Sequence, residues 1–424
     1  MKKPLGVSGF FSLIPILLIG IVLRTIWVED MEYKKDERDI AGYALGQPGY
    51  EKYPWVGVIS GVGIPNPGLS VWVNEAAASV LPLQTPIDIA RWIQFLSILA
   101  LFGLVVFAAK IVPPDERNFW FWGIALMAVN PIAVLLARKI WSPSIYPIWS
   151  LAFFWAWWMR QSWWGAFLWG MIGMLLGQIH MSGFFLAAAL WSWTLFFGPA
   201  LLNPPFLRRP TWLLPWSLGS ALGALPLIPW VYFLFKNISR TESRFNPMMI
   251  FQFQFWRFWI KNSTGMGLSY SLGRGRWIDF LRYPLISGYS TYFVGVLHLI
   301  LVSILVLTLM KSCCSIWEKR RSWKQMVMGT ESSTAFLQNA AFWGFGIGVS
   351  LTGFYVQNHY LIVLFPLQWV WISRQLLLHW KHPLPVLVTF FIVQLLITCG
   401  FLTYIHQNHG AVGGDYGLAY RYQL

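Results

Sequence analysis

The chain has 424 residues, 57% of them hydrophobic and 11% charged, with a formal net charge of +15. Soluble domains carry about 25% charged residues, so an ordinary soluble protein is excluded; apolar runs of about 20 residues recur along the whole length and read as a polytopic helical membrane protein. In a soluble chain the positive charge would point to nucleic acid, but here basic residues flank apolar spans and meet anionic headgroups, and no zinc-finger or RNA-binding signature is present, so no nucleic-acid partner is expected.

Lys2-Lys3 precedes an apolar stretch without a small-x-small cleavage pattern, so the N-terminus reads as an uncleaved first span. Hydropathy then places about eleven spans, near 9–28, 94–112, 119–137, 144–159, 164–179, 181–199, 212–235, 291–310, 336–355, 359–373 and 384–404. Only Gln178 and His180 separate the fifth from the sixth, so residues 164–199 read either as two spans or as one kinked span. With the N-terminus cytoplasmic, the short inside loops carry Arg117, Arg160, Arg208-Arg209, the Lys311–Lys324 cluster, and Arg374 with Lys381, and the C-terminus lies outside. The expected architecture is a single all-α integral membrane domain over residues 1–424. It has a long first outside loop at 29–93, a second, basic outside loop at 236–290 and a basic cytoplasmic loop at 311–335. No internal repeat is visible. Trp is abundant, at 28 residues, and reads mainly as interfacial belts.

The first outside loop opens with Glu29, Asp30, Glu32, Asp36, Glu37 and Asp39, although the whole chain has only 16 acidic residues. It then turns Gly/Pro-rich over Ile59–Gly68, and Ser70–Ser79 reads as an interfacial amphipathic helix. The second loop carries Lys236, Arg240, Arg244, Arg257, Lys261, Arg274, Arg276 and Arg282, with Phe and Trp interleaved over Phe251–Trp259. That mixture suits a membrane surface, with Arg257, Arg274 and Arg276 as outer-face contacts to phosphate or lipid.

Four short patterns carry candidate chemistry. Asp36-Glu37 follows the first span, where a partly desolvated carboxylate stays basic enough to deprotonate a nucleophile; the plain alternative is a solvated loop paired with Lys34, Lys35 and Arg38. Arg138-Lys139, in a very short outer loop, are placed to clamp a phosphate or simply to snorkel. Gln178 and His180 interrupt an apolar stretch, so they face a cavity or bond between helices, with Ser182 as a partner. His359-Tyr360 stands at an outer helix end, as a site or as a belt. The tail Gly413–Arg421 is polar and Gly-rich, and either orders against the outer face or frays. The cysteines Cys313, Cys314 and Cys399 form neither a disulfide framework nor a metal site, and no Asp-x-Asp motif or phosphate loop is present, so no metal or cofactor is expected.

In order and in shared face, these patterns resemble the GT-C superfamily of polyprenyl-phosphate-sugar-dependent glycosyltransferases, and within it the protein O-mannosyltransferase and aminoarabinose-transferase branch. The matching residues are Asp36-Glu37 with Arg38 and Ile40-Ala41, Arg138-Lys139, Gln178 with His180, and His359-Tyr360-Leu361-Ile362 running to Pro366. The loop after Lys139 has Ser142-Pro143-Ser144 where relatives often carry an acid, and His359 stands where arginine is usual. The resemblance implies a GT-C-like fold in the bacterial inner membrane. It implies Asp36 as catalytic base with Glu37 beside it, and Arg138, Lys139, His180, His359 and Tyr360 at the donor phosphate. The partners it implies are a polyprenyl-phosphate sugar, an acceptor of unknown class and membrane lipids, with inversion at the anomeric carbon. The competing readings are a transporter or flippase of a lipid-linked sugar, which calls for related halves and midplane charges, and a non-catalytic scaffold.

Overall fold

The computed structural model describes residues 13–61, 63–201, 211–237, 245–318 and 327–423. The basic positions Arg208, Arg209, Arg240 and Arg244, residues 319–326 of the 311–335 loop, and the start of the first span lie outside the described residues. Helices dominate, and among the described residues the only sheets are three two-stranded antiparallel hairpins.

Among the described residues, four helices are long and apolar enough to cross a membrane: Pro86–Lys110, Leu213–Asn237, Phe293–Ser315 and Pro383–Gln407. At about 1.5 Å per residue, each exceeds the roughly 30 Å of a bilayer core. A fifth crossing arises if Asn358–Leu364 and Leu367–His379 form one span, bent by 74°. Pro366 lies at that bend, and its ring removes a helical donor. The other apolar stretches are also helical but shorter or interrupted, so helix length alone does not give eleven crossings.

The interruptions fall at definite positions. The expected span 119–137 is two helices, Arg117–Val129 and Pro131–Leu136. Asn130 caps the second, its side-chain oxygen accepting from the Ile132 and Ala133 amides at 3.0 and 3.1 Å, and Pro131 follows at the first helical position. The expected span 336–355 divides into Ser333–Asn339, a π-helical turn over Ala340–Phe345, and Gly346–Leu351. Residues 164–199 form a hairpin of two helices, Trp163–Ile179 and Ser182–Leu201, which rules out one kinked span. The helices touch at Gly183, where an added Cβ would lie 2.4 Å from the Leu176 backbone.

One boundary of the first outside loop and the setting of its helix are corrected. Its following helix begins at Pro86 rather than 94, because Thr85 and Asp88 cap each other's amides and a proline starts the helix. The expected interfacial helix forms at Leu69–Val80 but packs inward, with Ser70, Val71, Asn74, Glu75 and Ala77 buried. Several tryptophans are likewise core rather than belt: Trp120, Trp157, Trp169, Trp259 and Trp369 are among the largest fully buried side chains.

Candidate functional site

The site is assembled where the first described helix, Ile14–Thr25, ends. Two buried arginines tie that end to its neighbour. Arg24 donates to the carbonyls of Met127 and Ala128, at the C-terminus of Arg117–Val129. Arg138 donates in return to the carbonyls of Leu23, Arg24, Ile26 and Trp27, at the C-terminus of the first helix. Each guanidinium satisfies carbonyls that a helix end leaves open and sits at the negative end of a helix dipole. Arg138 therefore points away from the cavity described below and holds no free donor fork toward it.

Past this end, the chain meets its own C-terminal tail. The Tyr420 amide donates to the Met31 carbonyl at 3.1 Å, and Glu32 bridges Ala419. Arg421 reaches Asp30 at 2.9 Å and His406 reaches the other oxygen at 2.7 Å, with the His406 ring stacked on Trp27 at 4.2 Å. Lys34 joins Asp415 at 3.0 Å and Glu32 at 2.7 Å.

The short helix Lys35–Ala44 follows, with Asp36 and Glu37 in its first turn, where the helix dipole favours carboxylates. Successive residues are about 100° apart around a helix, so the two acids face different ways. Glu37 turns inward: one oxygen accepts the Lys34 amide at 2.9 Å and the other meets Lys139 at 3.0 Å. Lys139 also reaches Glu32 at 2.8 Å, and its ammonium lies over the Trp141 ring at 4.4 Å. Asp36 faces a cavity of about 190 Å³ that is also lined by Glu32, Lys34, Lys139, His180, His359 and Asp415. Among the described residues its carboxylate has no hydrogen-bond or ion-pair partner.

Electrostatics separates these groups. Burial alone would lower the Lys139 ammonium, but Glu32 and Glu37 outweigh it and hold it well above the ordinary lysine range. Burial raises the Glu32 carboxyl, as do Glu37 and Asp415, against Lys139 and Lys34. Asp36 is raised by burial first and then by the neighbouring Glu37 charge, with Lys139 and Lys34 opposing.

His180 sits in the turn between the two helices of the hairpin. Its Nδ1 accepts from the Ser182 amide at 3.3 Å and lies 3.0 Å from the Ser182 hydroxyl, which leaves the neutral ring's hydrogen on Nε2. The His359 ring is 4.2 Å from Trp141 and 5.4 Å from His180. Gln178 is spent on structure, donating to the carbonyls of Met174 and Gly223. Tyr360 lies beyond His180, and both line a second chamber of about 190 Å³ that is almost wholly apolar, with Ile64, Phe185, Phe354 and Val356.

The segment after Leu351 runs between chambers. Phe354 and Val356 line the apolar one; Tyr355 and Gln357 line polar ones. Alternation of this kind is the side-chain geometry of an extended strand.

The sequence-derived candidates thus divide. Asp36, Lys139, His180 and His359 share one cavity, with Glu37 directly behind Lys139. Arg138 and Tyr360 do not line it. Arg257 lines a separate cavity, Arg276 donates to the Val412 carbonyl at 3.3 Å beside yet another, and Arg274 lies exposed. Sequence reasoning missed Glu32 and Lys34 as cavity residues, although both lie in the acidic cluster. It also missed Asp415, whose one signal was being a lone acid in a Gly-rich tail, and the buried Asn66 and Asn358, each with an unpartnered side-chain oxygen. Among the described residues no group of three or more His, Cys, Asp or Glu side chains is set to hold a metal ion. Comparison with protein-family models, with curated proteins and with solved structures found no match to this chain.

Proposed function

We propose that this chain is a membrane glycosyltransferase that moves a sugar from a polyprenyl-phosphate-linked donor to an acceptor at the outer membrane face. In this reading the fold is GT-C-like with about eleven crossings, the shorter helices included, in a bacterial inner membrane with the N-terminus cytoplasmic and the C-terminus outside. The observation that carries it is Asp36. Glu32, Glu37 and Asp415 each have a lysine within 3.0 Å, whereas Asp36 has none and faces the cavity. A half-buried carboxylate with a raised pKa and open access is what a general base requires.

The chemistry follows from the placement. Asp36 takes the proton of the acceptor nucleophile, which attacks the anomeric carbon from the side opposite the phosphate. The bond from that carbon to the phosphate oxygen breaks, polyprenyl phosphate leaves with the electron pair, and configuration inverts. The Nε2–H of neutral His180 is available as a donor to a sugar hydroxyl or a phosphate oxygen. Lys139 holds the Glu32–Glu37 pair and so keeps the Asp36 turn in position. The apolar chamber that shares His180 with the polar cavity closes that side of it with an oily wall.

One observation favours a second reading: the pair Asn358–Leu364 and Leu367–His379, broken by 74° beside the cavity, has the form of a discontinuous helix in a transporter or flippase of a lipid-linked sugar. Proteoliposomes with labelled polyprenyl-phosphate sugars and an envelope extract as acceptor separate the two. Transfer predicts release of polyprenyl phosphate, lost in Asp36→Asn. Movement of intact labelled lipid between leaflets, with no release, would replace this reading with the second.

A further inference from the structure

A transferase of this kind must hold a phosphate, and the Asp36 cavity is poorly equipped to do so. Arg138 is consumed by four carbonyls. Lys139 and Lys34 are each held by two carboxylates. An anion entering there meets Asp36, Glu32 and Asp415 as well.

The neighbouring cavity is the reverse. It measures about 290 Å³, and Arg257 and Lys261 line it with Gln252, Ser269, Tyr270 and Tyr355 and, among the described residues, no carboxylate. Among the described residues neither cation makes an ion pair or a side-chain hydrogen bond. They lie four apart on the helix Gln254–Ser263, so they share a face and repel each other. Phe255, Phe258, Trp259 and Asn262 anchor that helix from its buried side. Gln254 accepts from the Val356 amide at 2.8 Å and so holds Tyr355 at the cavity. Two unneutralised cations on a fixed helix, with hydroxyl groups around them, form a receptor for a tetrahedral oxyanion. The two polar cavities are neighbours: Tyr270 lines both, and its hydroxyl donates to Gln357 at 3.2 Å.

We propose that Arg257 and Lys261 form a phosphate-binding subsite, and that the phosphate of the lipid-linked donor occupies it while its sugar reaches past Tyr270 toward Asp36. The second half of this proposal rests on the transferase reading; the first half does not. The shared chemistry is an anionic phosphate group, free or esterified, and it has three sources: polyprenyl phosphate, an anionic phospholipid headgroup and free phosphate.

The test measures binding of each source to the purified full chain in detergent, using polyprenyl monophosphate, phosphatidylglycerol and inorganic phosphate. Wild type is compared with Arg257→Ala, Lys261→Ala, the double variant, and the charge-preserving pair Arg257→Lys with Lys261→Arg. The expected result is that each alanine weakens polyprenyl phosphate about tenfold or more, that the double variant loses it, and that the charge-preserving pair retains most of it. Phosphatidylglycerol binding should be little changed. Both side chains are at least partly exposed, so the fold should survive, and an unchanged melting temperature checks this. Loss of phosphatidylglycerol or free phosphate in the same variants, with no preference for polyprenyl phosphate, keeps the subsite and removes the donor assignment. Wild-type binding through these residues without any sugar transfer keeps the subsite and removes the transferase reading. Equal affinities in wild type and the double variant, or no phosphate binding by wild type, overturn the proposal.

Discussion

The two polar cavities that share Tyr270 differ in what their charges have left to give. In one, both lysines are locked to carboxylates and a single acid stands unpaired. In the other, among the described residues, two cations stand unpaired and no acid is present. A count of cations would rank the two cavities equal, with two in each, and a count of partners separates them. What matters for binding is the charge remaining after the protein's own ion pairs are formed, because a paired ion has already spent its Coulomb energy.

The sharpest way to break this contrast is Asp36→Asn. If the unpaired acid is the base, transfer falls by about 10²–10⁴-fold. Stability should move the other way. The folded-state pKa of Asp36 lies above its ordinary 3.8, so its contribution to stability is full below that value and is lost as pH rises through the raised one. The variant should therefore be no less stable than wild type at neutral pH, and its relative advantage should grow upward from about pH 4. A variant that loses both stability and activity at pH 7 would point to a structural carboxylate.

Lys139→Met probes the paired side. It leaves Glu37 buried without its cation and Glu32 with Lys34 alone, and breaking a buried pair this way costs about 3–5 kcal/mol. Thermal melts in detergent should show a large drop, and an unchanged melting temperature would mean that Lys139 is free to serve substrate. Arg138→Ala is smaller, at roughly 1–3 kcal/mol for carbonyls left unsatisfied at the helix end. Its folded fraction should bind polyprenyl phosphate as wild type does, and weaker binding would return Arg138 to the site. Least in size is the pH profile. Transfer should fade on acidification with a limb above pH 3.8, as Asp36 takes up its proton. A rate that stays flat down to that value would exclude Asp36 as the titrating base.

How much of this was legible in the chain depends on the residue. The apolar stretches announced helices because burial and the bilayer act on composition. The acidic run marked a turn that lines the polar cavity, because carboxylates are otherwise scarce. Composition and spacing could not separate Asp36 from Glu37, which only the family resemblance told apart, since a rotation of about 100° sends one into the cavity and the other beneath it. It could not separate Arg138 from Lys139 either. They are adjacent and alike in charge, yet one closes a helix end and the other binds Glu32 and Glu37, because only the fold says which acceptors lie within reach. Asp415 was invisible for a similar reason: it is nearly four hundred residues from Lys34 along the chain and 3.0 Å away in space. The breaks at Asn130 and Pro366 were written in the letters, but hydropathy windows average over single residues and passed across both.

The segment between Leu351 and Asn358 has a consequence of a different kind. Its side chains alternate between an oily wall and wet ones, with Phe354 and Val356 on the first and Tyr355 and Gln357 on the others. Length is therefore information here. Inserting or deleting one residue would trade the walls, turning aromatic and aliphatic groups toward water and polar groups toward oil, while composition barely changed. Most surface connections absorb such a slip. This one has a parity, and across any set of relatives its residue count should prove more constant than its residues.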